Sequence, residues 1–444
     1  MRTAVILEAP WREPVQVLAA LGERPWTIGF LTGGDAEAGW SYVAADPAQT
    51  CILAGDDPGD PLVALALLAG PTMLADPEGP AFQGGVAGLF SYELGDRFES
   101  LGLARHDGWP DLACARYDAL LAFDHAGRRT LAIGRGETSD AAQARAAAAL
   151  AWLDQPRRIA RPPAARLEPD SPDAYEAAVA SIVRRIGEGE IFQANLARRW
   201  RGHLAPQARP IDLMSRLAAS SPAPFAAYLR LPDRALVSNS PERFLKLARH
   251  GEALVAETQP IKGTAPRGAT QAEDAALAAA LLASLKDRAE NLMIVDLMRN
   301  DLSRVCVAGA VATPELFRLA SYANVHHLVS TVTGVLAPSR GAGDLLRAAF
   351  PPGSITGAPK VQAMKLIAEL EGPRGPFFGS LGWIGCDGAM DSNVLIRTAA
   401  FVQDAQGWRV EARAGAGIVA DSDPQAERRE TETKIAALAA ALHP

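Results

Sequence analysis

Four cysteines in 444 residues, Cys51, Cys114, Cys306 and Cys386, stand far apart, with no CxxC pair and no metal-ligand spacing. That scarcity argues against a disulfide framework or a zinc ribbon and leaves them as small apolar residues of a reducing compartment. None sits in a glycine-flanked nucleophile turn, so the chain is not expected to hydrolyse glutamine itself. No apolar run approaches the roughly 18 residues that span a bilayer, and the apolar stretch near the N-terminus is too short for a signal peptide. A cytoplasmic protein with no membrane contact is expected. A long basic run is missing as well, and the net charge of −7 argues against nucleic acid as a partner. The glycine-containing segment 350–360 lacks the Gly-Lys-Ser/Thr ending of a P-loop, so nucleotide binding is not expected from it.

What is present is ordinary for a soluble globular protein: 48% hydrophobic and 21% charged residues, enough chain for one large or two medium domains. Residues 155–173 carry four arginines and five prolines with no apolar period, and follow an alanine-rich helical stretch at 140–153. They read as a linker between an N-terminal region, 1–154, and a catalytic domain, 174–444. Alternating segments at 85–92, 119–125, 191–200 and 224–231 predict strands. Three further strand-like runs, 377–386, 390–402 and 408–414, are separated by the hairpin signals Asp387-Gly388 and 404–407. Helices are expected at 175–187, 271–299, 358–370 and 424–442. Consecutive hairpins flanked by helices predict an α+β fold: large antiparallel β-sheets in a sandwich-like core, with helices around them.

Lys262 lies between Pro260 and Gly263 in Glu257-Thr-Gln-Pro-Ile-Lys-Gly-Thr264. An amine becomes nucleophilic when desolvation lowers its pKa, which the wall of an apolar cleft can do; taken alone, the position reads as a surface loop lysine. Asp287 and Glu290 share one helix face, and Glu427, Glu430 and Lys434 share another, behind an Asp423 N-cap and Pro424. Two such faces converging on a cleft suit a hard divalent cation; separately, each suits a solvated helix. Glycines in two loops, 350–360 before a helix and 414–422 after a strand, let backbone approach a ligand closely.

In this order the segments resemble the chorismate-utilising enzymes: anthranilate synthase component I, aminodeoxychorismate synthase component I, isochorismate synthase and salicylate synthase. The resemblance rests on Ile191-Phe-Gln-Ala-Asn-Leu196, Ser240-Pro-Glu-Arg-Phe244, Pro260-Ile-Lys-Gly-Thr264, 286–301, Val325-His-His-Leu-Val-Ser330, 353–360 and 415–422. It covers residues 170–440, and more loosely Gly84-Gly-Val-Ala-Gly-Leu-Phe-Ser-Tyr-Glu-Leu94. Members of that family that add water carry a lysine base where this chain has Gln193, and anthranilate-forming members usually carry alanine where it has Lys262. The pattern therefore looks like the aminodeoxychorismate synthase component I branch.

That resemblance implies Mg2+ held by Glu290 and Glu430, with Asp287 and Glu427 in support through water. It implies Lys262 as nucleophile and Glu242 as acid. It places His327 by the reacting ring or its carboxylate, Thr264 among the substrate-binding residues, Arg397 with Gly415, Ala416 and Gly417 on the enolpyruvyl carboxylate, and Ser354 and Lys434 in the same anion site. Chorismate is the implied substrate, with ammonia from a separate glutaminase subunit. The alternatives are anthranilate synthesis and an inactive scaffold for an amidotransferase.

Overall fold

The computed structural model describes residues 3–33, 39–322 and 325–443. Among these, the strands form two antiparallel sheets, of twelve and ten strands. Leu120, Leu229 and Leu236 of the first sheet and Leu89, Leu245 and Leu381 of the second belong to one buried core, so the sheets pack on each other. Side chains alternate along a strand: Leu236 enters that core, while Ala235 and Val237 enter a second core on the other face. There they meet Leu18, Leu213, Met214, Ile435 and Leu438 of the helices Pro14–Leu21, Pro210–Ser220 and Pro424–Leu442. Each fully buried leucine of this kind contributes about 1.5–3 kcal/mol. The expected α+β sandwich with surrounding helices is the observed fold.

Residues on either side of 155–173 contribute strands to both sheets. Ile28–Leu31 pairs with Phe225–Arg230 in the larger sheet, and Gly85–Phe90 pairs with Ser380–Gly385 in the smaller. The linker thus joins two lengths of chain that complete the same sheets.

Three expected elements differ in detail. The run at 390–402 is two strands, Met390–Asn393 in the smaller sheet and Thr398–Asp404 in the larger. The chain crosses between sheets at Arg397, whose φ of 53° is left-handed and breaks the extended path. The helix expected at 271–299 is two, Gln271–Ala283 and Leu285–Ser303, because the Ser284 hydroxyl accepts from the Asp287 amide and starts the second. Gly415 and Gly417 are not in a loop: the strand Gly407–Ile418 carries them, paired with Gln193–His203. The hairpins at Asp387-Gly388 and at 404–407 and the helix Pro424–Leu442 are where the sequence reading puts them.

A third core closes the back of this strand pair. Tyr175, Val179 and Ile182 of the helix Pro172–Gly187 pack with Ala194, Leu196, Ala416 and Ile418. The alternate residues Gln193, Asn195, Gly415 and Gly417 are left on the other face, which is the floor of the site.

Candidate active site

Lys262 stands on the strand Ile261–Pro266, at the edge of the smaller sheet. Its pairing with Val325–Val335 slips by one residue between Ile261↔Val329 and Thr264↔His327, so Lys262 and Gly263 span a bulge. Gly263 takes φ 92°, and a Cβ added there would lie 3.0 Å from the Asp287 Cβ, so glycine permits both the turn and the close helix. Buried Asn291, next to Glu290 on the same helix, holds the bulge. Its amide donates to the Leu328 carbonyl (3.3 Å) and the Lys262 carbonyl (3.5 Å), and its oxygen accepts from Ser330 (2.6 Å).

The lysine side chain crosses to the larger sheet. A Cβ added to Gly417 would lie 3.2 Å from Lys262 Nζ and 2.8 Å from Gln193 Nε2, so the glycine gives both side chains room. Burial lowers the Lys262 pKa, helped by the charge of Lys434 and opposed by Glu290, Glu242 and Glu430. Glu242 moves the other way. Only 4% exposed, it is pushed up to about 7 by burial, against a hydrogen bond from Ser354, the charge of Lys262 and the Ile261 amide. A lysine shifted towards the free amine beside a carboxyl that keeps its proton near neutrality has the chemistry a nucleophile and acid pair requires.

The four expected metal ligands lie on two helices, Asp287 and Glu290 on one and Glu427 and Glu430 on the other, close enough that Glu290 feels the charge of Glu430. Burial raises Glu290, against Lys262 and Lys286 and with the like charges of Asp287 and Glu430. Burial likewise raises Glu427, with the charge of Glu430 adding to it. Glu430 is desolvated too, but Lys434, Lys262 and Lys286 outweigh that and hold it low. Among the described residues no three acids, histidines or cysteines are already gathered as a metal cage. The donor set nevertheless fits Mg2+: carboxylate oxygens only, from partly buried acids that repel one another and that a cation would draw together.

The remaining predicted residues take definite places. His327 is buried, with Nδ1 2.9 Å from the Thr264 hydroxyl, and burial and then the Arg397 charge lower it to about 4, so it is neutral at pH 7. Burial also lowers Arg397, against the charge of Glu430, and among the described residues its guanidinium has no carboxylate within ion-pair distance. Its left-handed backbone is the kind of local cost, about 1–3 kcal/mol, that the surroundings must hold in place. Ser354 stands against Glu242, with which it shares a hydrogen bond. Lys434 donates to the Gly415 carbonyl (2.9 Å) and pairs with Glu430 (2.5 Å). Ala416 turns its side chain into the third core, so only its backbone faces the site.

Asn195 and Asn291 stand within motifs quoted above but were given no place among the site residues, because their roles depend on a register and a helix contact that no local pattern announces. A groove of about 360 Å³ by Tyr92, Glu93, Lys365 and Arg374 contains none of the residues above, so side-chain chemistry is what identifies the site.

Residues 30–440 match the family model described as chorismate binding enzyme. The chain belongs to the chorismate-binding enzymes. It is 38% identical to aminodeoxychorismate synthase component 1 of Salmonella typhimurium, over 99% of this chain and 98% of that one. Identity to anthranilate synthase component 1 of Streptomyces coelicolor is 40%, over 86% and 78%. Among solved structures, anthranilate synthase component I of Streptococcus pneumoniae superposes with a TM-score of 0.80 at 28% identity, covering 92% and 94% of the two chains. The menaquinone-specific isochorismate synthase of Escherichia coli, at 18% identity and a TM-score of 0.74 over 99% and 95%, shares the fold. No helix of the described residues is long and apolar enough to cross a membrane.

Proposed function

We propose that this chain is the synthase component of an aminodeoxychorismate synthase, converting chorismate and ammonia to 4-amino-4-deoxychorismate. Relatives named for that activity match over nearly the whole chain, and the resemblance set out above gives anthranilate-forming members an alanine where this chain has Lys262. The observation that carries the reading is the Lys262 and Glu242 pair, shifted in opposite directions, on a floor that offers Gln193 instead of a base.

Lys262 attacks ring carbon C2, the ring double bonds shift, and the C4 oxygen leaves with the Glu242 proton as water. The lysine nitrogen gives up one proton, which restores Glu242. Ammonia then attacks C4, the double bonds shift back, and the C2–N bond breaks with its electron pair going to Lys262. One proton passes from the incoming nitrogen to the departing one. Arg397, with the Gly415 to Gly417 backbone and Lys434, receives the enolpyruvyl carboxylate, and neutral His327 faces the ring. Glu290 and Glu430 would hold Mg2+, supported through water by Asp287 and Glu427, and the charge it would supply there would offset the ring carboxylate and make the ring a better electrophile.

The ammonia comes, in this reading, from a separate glutaminase subunit, in keeping with relatives named as component 1. The test is product analysis with chorismate, Mg2+ and an ammonium salt. The expected product keeps its enolpyruvyl group and yields 4-aminobenzoate only after a pyruvate lyase is added. The comparable identity to anthranilate synthase components supports a second reading, and anthranilate as the main product would establish it.

A further inference from the structure

Arg374 is 1% exposed, and every nitrogen of its guanidinium is engaged. Nε donates to Glu371 Oε2 (3.0 Å), Nη1 to the Ile355 carbonyl (3.0 Å), and Nη2 to the Asn195 carbonyl (2.6 Å) and Glu371 Oε1 (2.9 Å). Its Cζ lies 4.7 Å from the centre of the Tyr92 ring and 4.5 Å from that of Phe378. Buried Glu93 fixes the backbone here too, accepting from the Arg374 and Gly375 amides. Neither the side chain nor its main chain has freedom to move.

These contacts stand in for a missing length of strand. On one edge, the strand Gln193–His203 pairs with Gly357–Ala358 at Gln193 and Ala194, and with Glu168–Pro169 at Trp200 and Arg201. Between those pairs the Asn195 amide donates to the Thr356 carbonyl (2.9 Å), the Asn195 carbonyl takes Arg374, and the Ala197 amide donates to Glu371 (2.6 Å). A buried backbone group needs a partner, but not a charged one: a bound water satisfies a carbonyl, whereas a buried cation costs several kcal/mol unless it is paired. What the guanidinium adds is a rigid planar fork that fixes the separation of the oxygens it binds. One of those oxygens belongs to the floor of the site. The other belongs to Ile355, next to Ser354 in the turn Gly353–Ile355, and Ser354 shares a hydrogen bond with Glu242.

We propose that Arg374 is a positioning residue for the proton donor: by clamping the Ile355 carbonyl to the floor strand it holds the Ser354 hydroxyl against Glu242, and so sets where that carboxyl stands relative to the C4 oxygen of chorismate. This rests on the role of Glu242 proposed above. Arg374 acts through the turn and touches no reacting atom. The charges that face Glu242 are Lys262 and Lys434, and Arg374 is not one of them, so it reaches the acid by geometry and not by its own field. The Ser354 hydrogen bond favours the ionised carboxylate, and losing it raises Glu242 further.

Arg374→Lys keeps the charge and removes the fork. In this variant, in Ser354→Ala and in the double variant, the Glu242 carboxyl is titrated by infrared difference spectroscopy, with Glu242→Gln to assign its band. Adduct formation on Lys262 is followed by mass spectrometry with chorismate and no ammonia. Glu242 is expected to titrate about half a pH unit or more higher in each single variant and no higher in the double. Near about pH 6, where Glu242 keeps its proton in all of them, adduct formation in Arg374→Lys should be slower by roughly ten-fold or more. A titration that moves in Ser354→Ala but not in Arg374→Lys overturns the clamp, as do shifts that add in the double variant; one that moves in neither overturns the route through serine. Absence of the adduct in the unsubstituted enzyme overturns the lysine reading instead and leaves the infrared titration to judge the clamp. Where Arg374→Lys does not fold, Glu371→Gln keeps the shape of the arginine's partner and loosens its hold, and should move Glu242 in the same direction; a folded Glu371→Gln with an unchanged titration overturns the proposal.

Discussion

Lys434 Nζ lies 2.5 Å from Glu430 Oε1 and 2.9 Å from the Gly415 carbonyl, so one ammonium ties the last helix to the strand that floors the site. The same contact balances a carboxylate that the metal reading assigns to Mg2+. Replacing Lys434 by Met is therefore expected to tighten Mg2+ binding in calorimetric titration about two- to five-fold, the scale of a half-exposed ion pair. Chorismate KM should rise at the same time, through loss of a cation from the anion site. Weaker Mg2+ binding in this variant would move the metal away from Glu430.

Lys262→Met keeps most of the side chain's length and removes the proposed nucleophile. No substrate adduct should form, and kcat should fall by about three orders of magnitude or more, with the melting temperature little changed. Full activity in this variant would mean that ammonia attacks chorismate directly.

Glu242, with its carboxyl raised to about 7, is protonated below that pH and ionised above it. The rate of adduct formation should accordingly decline as pH rises through about 7. In Glu242→Gln the rate should fall about 10²- to 10⁴-fold, and this limb of the profile should flatten. A limb that survives the substitution belongs to another group.

Gly417→Ala would place its Cβ 2.8 Å from Gln193 Nε2 and 3.2 Å from Lys262 Nζ, both far ends of side chains that can move. The displaced groups are ones the proposed reaction uses, so activity should drop at least ten-fold while the unfolding temperature stays within about 2 °C of the parent. Loss of the folded state would show that the strand itself rejects the methyl group.

His327 is held at about 4 in the folded chain, against an ordinary value near 6.5, so the unfolded state binds its proton first as pH falls. Its contribution is intact above pH 6.5 and is lost progressively down to about pH 4, with a limit of roughly 3 kcal/mol. Denaturant titrations of His327→Gln between pH 7 and 4 should show a correspondingly smaller acid-side loss of stability; an identical slope would rule out His327 as its source.

Much of the fold was legible because it is written in local chemistry. Asp423-Pro424 starts the last helix where a cap and a proline must, Asp387-Gly388 turns a hairpin, and alternating apolar residues give strands. The candidate site was legible for a different reason: Lys262, Glu242 and Glu290 stand in motifs that resemble a known family, and Glu430 in the helix that follows the last of them. What sequence could not decide depended on non-local partners. A strand run at 390–402 gives no sign that Arg397 turns the chain from one sheet to the other, since both halves alternate in the same way. Ser284 interrupts a continuous helical pattern by capping, a contest between two favourable local states.

Sequence alone marked which residues are candidates for chemistry here: Lys262, Glu242 and two pairs of helical carboxylates. Only the tertiary structure decided what each one feels. The downward shift of Lys262 and the upward shift of Glu242 come from burial between two sheets, and the unpaired amides of Gln193 and Asn195 exist because Gly417 and Gly415 stand opposite them in register. Desolvation and close approach act through space between segments some 70 to 220 residues apart, and no run of neighbouring letters encodes them.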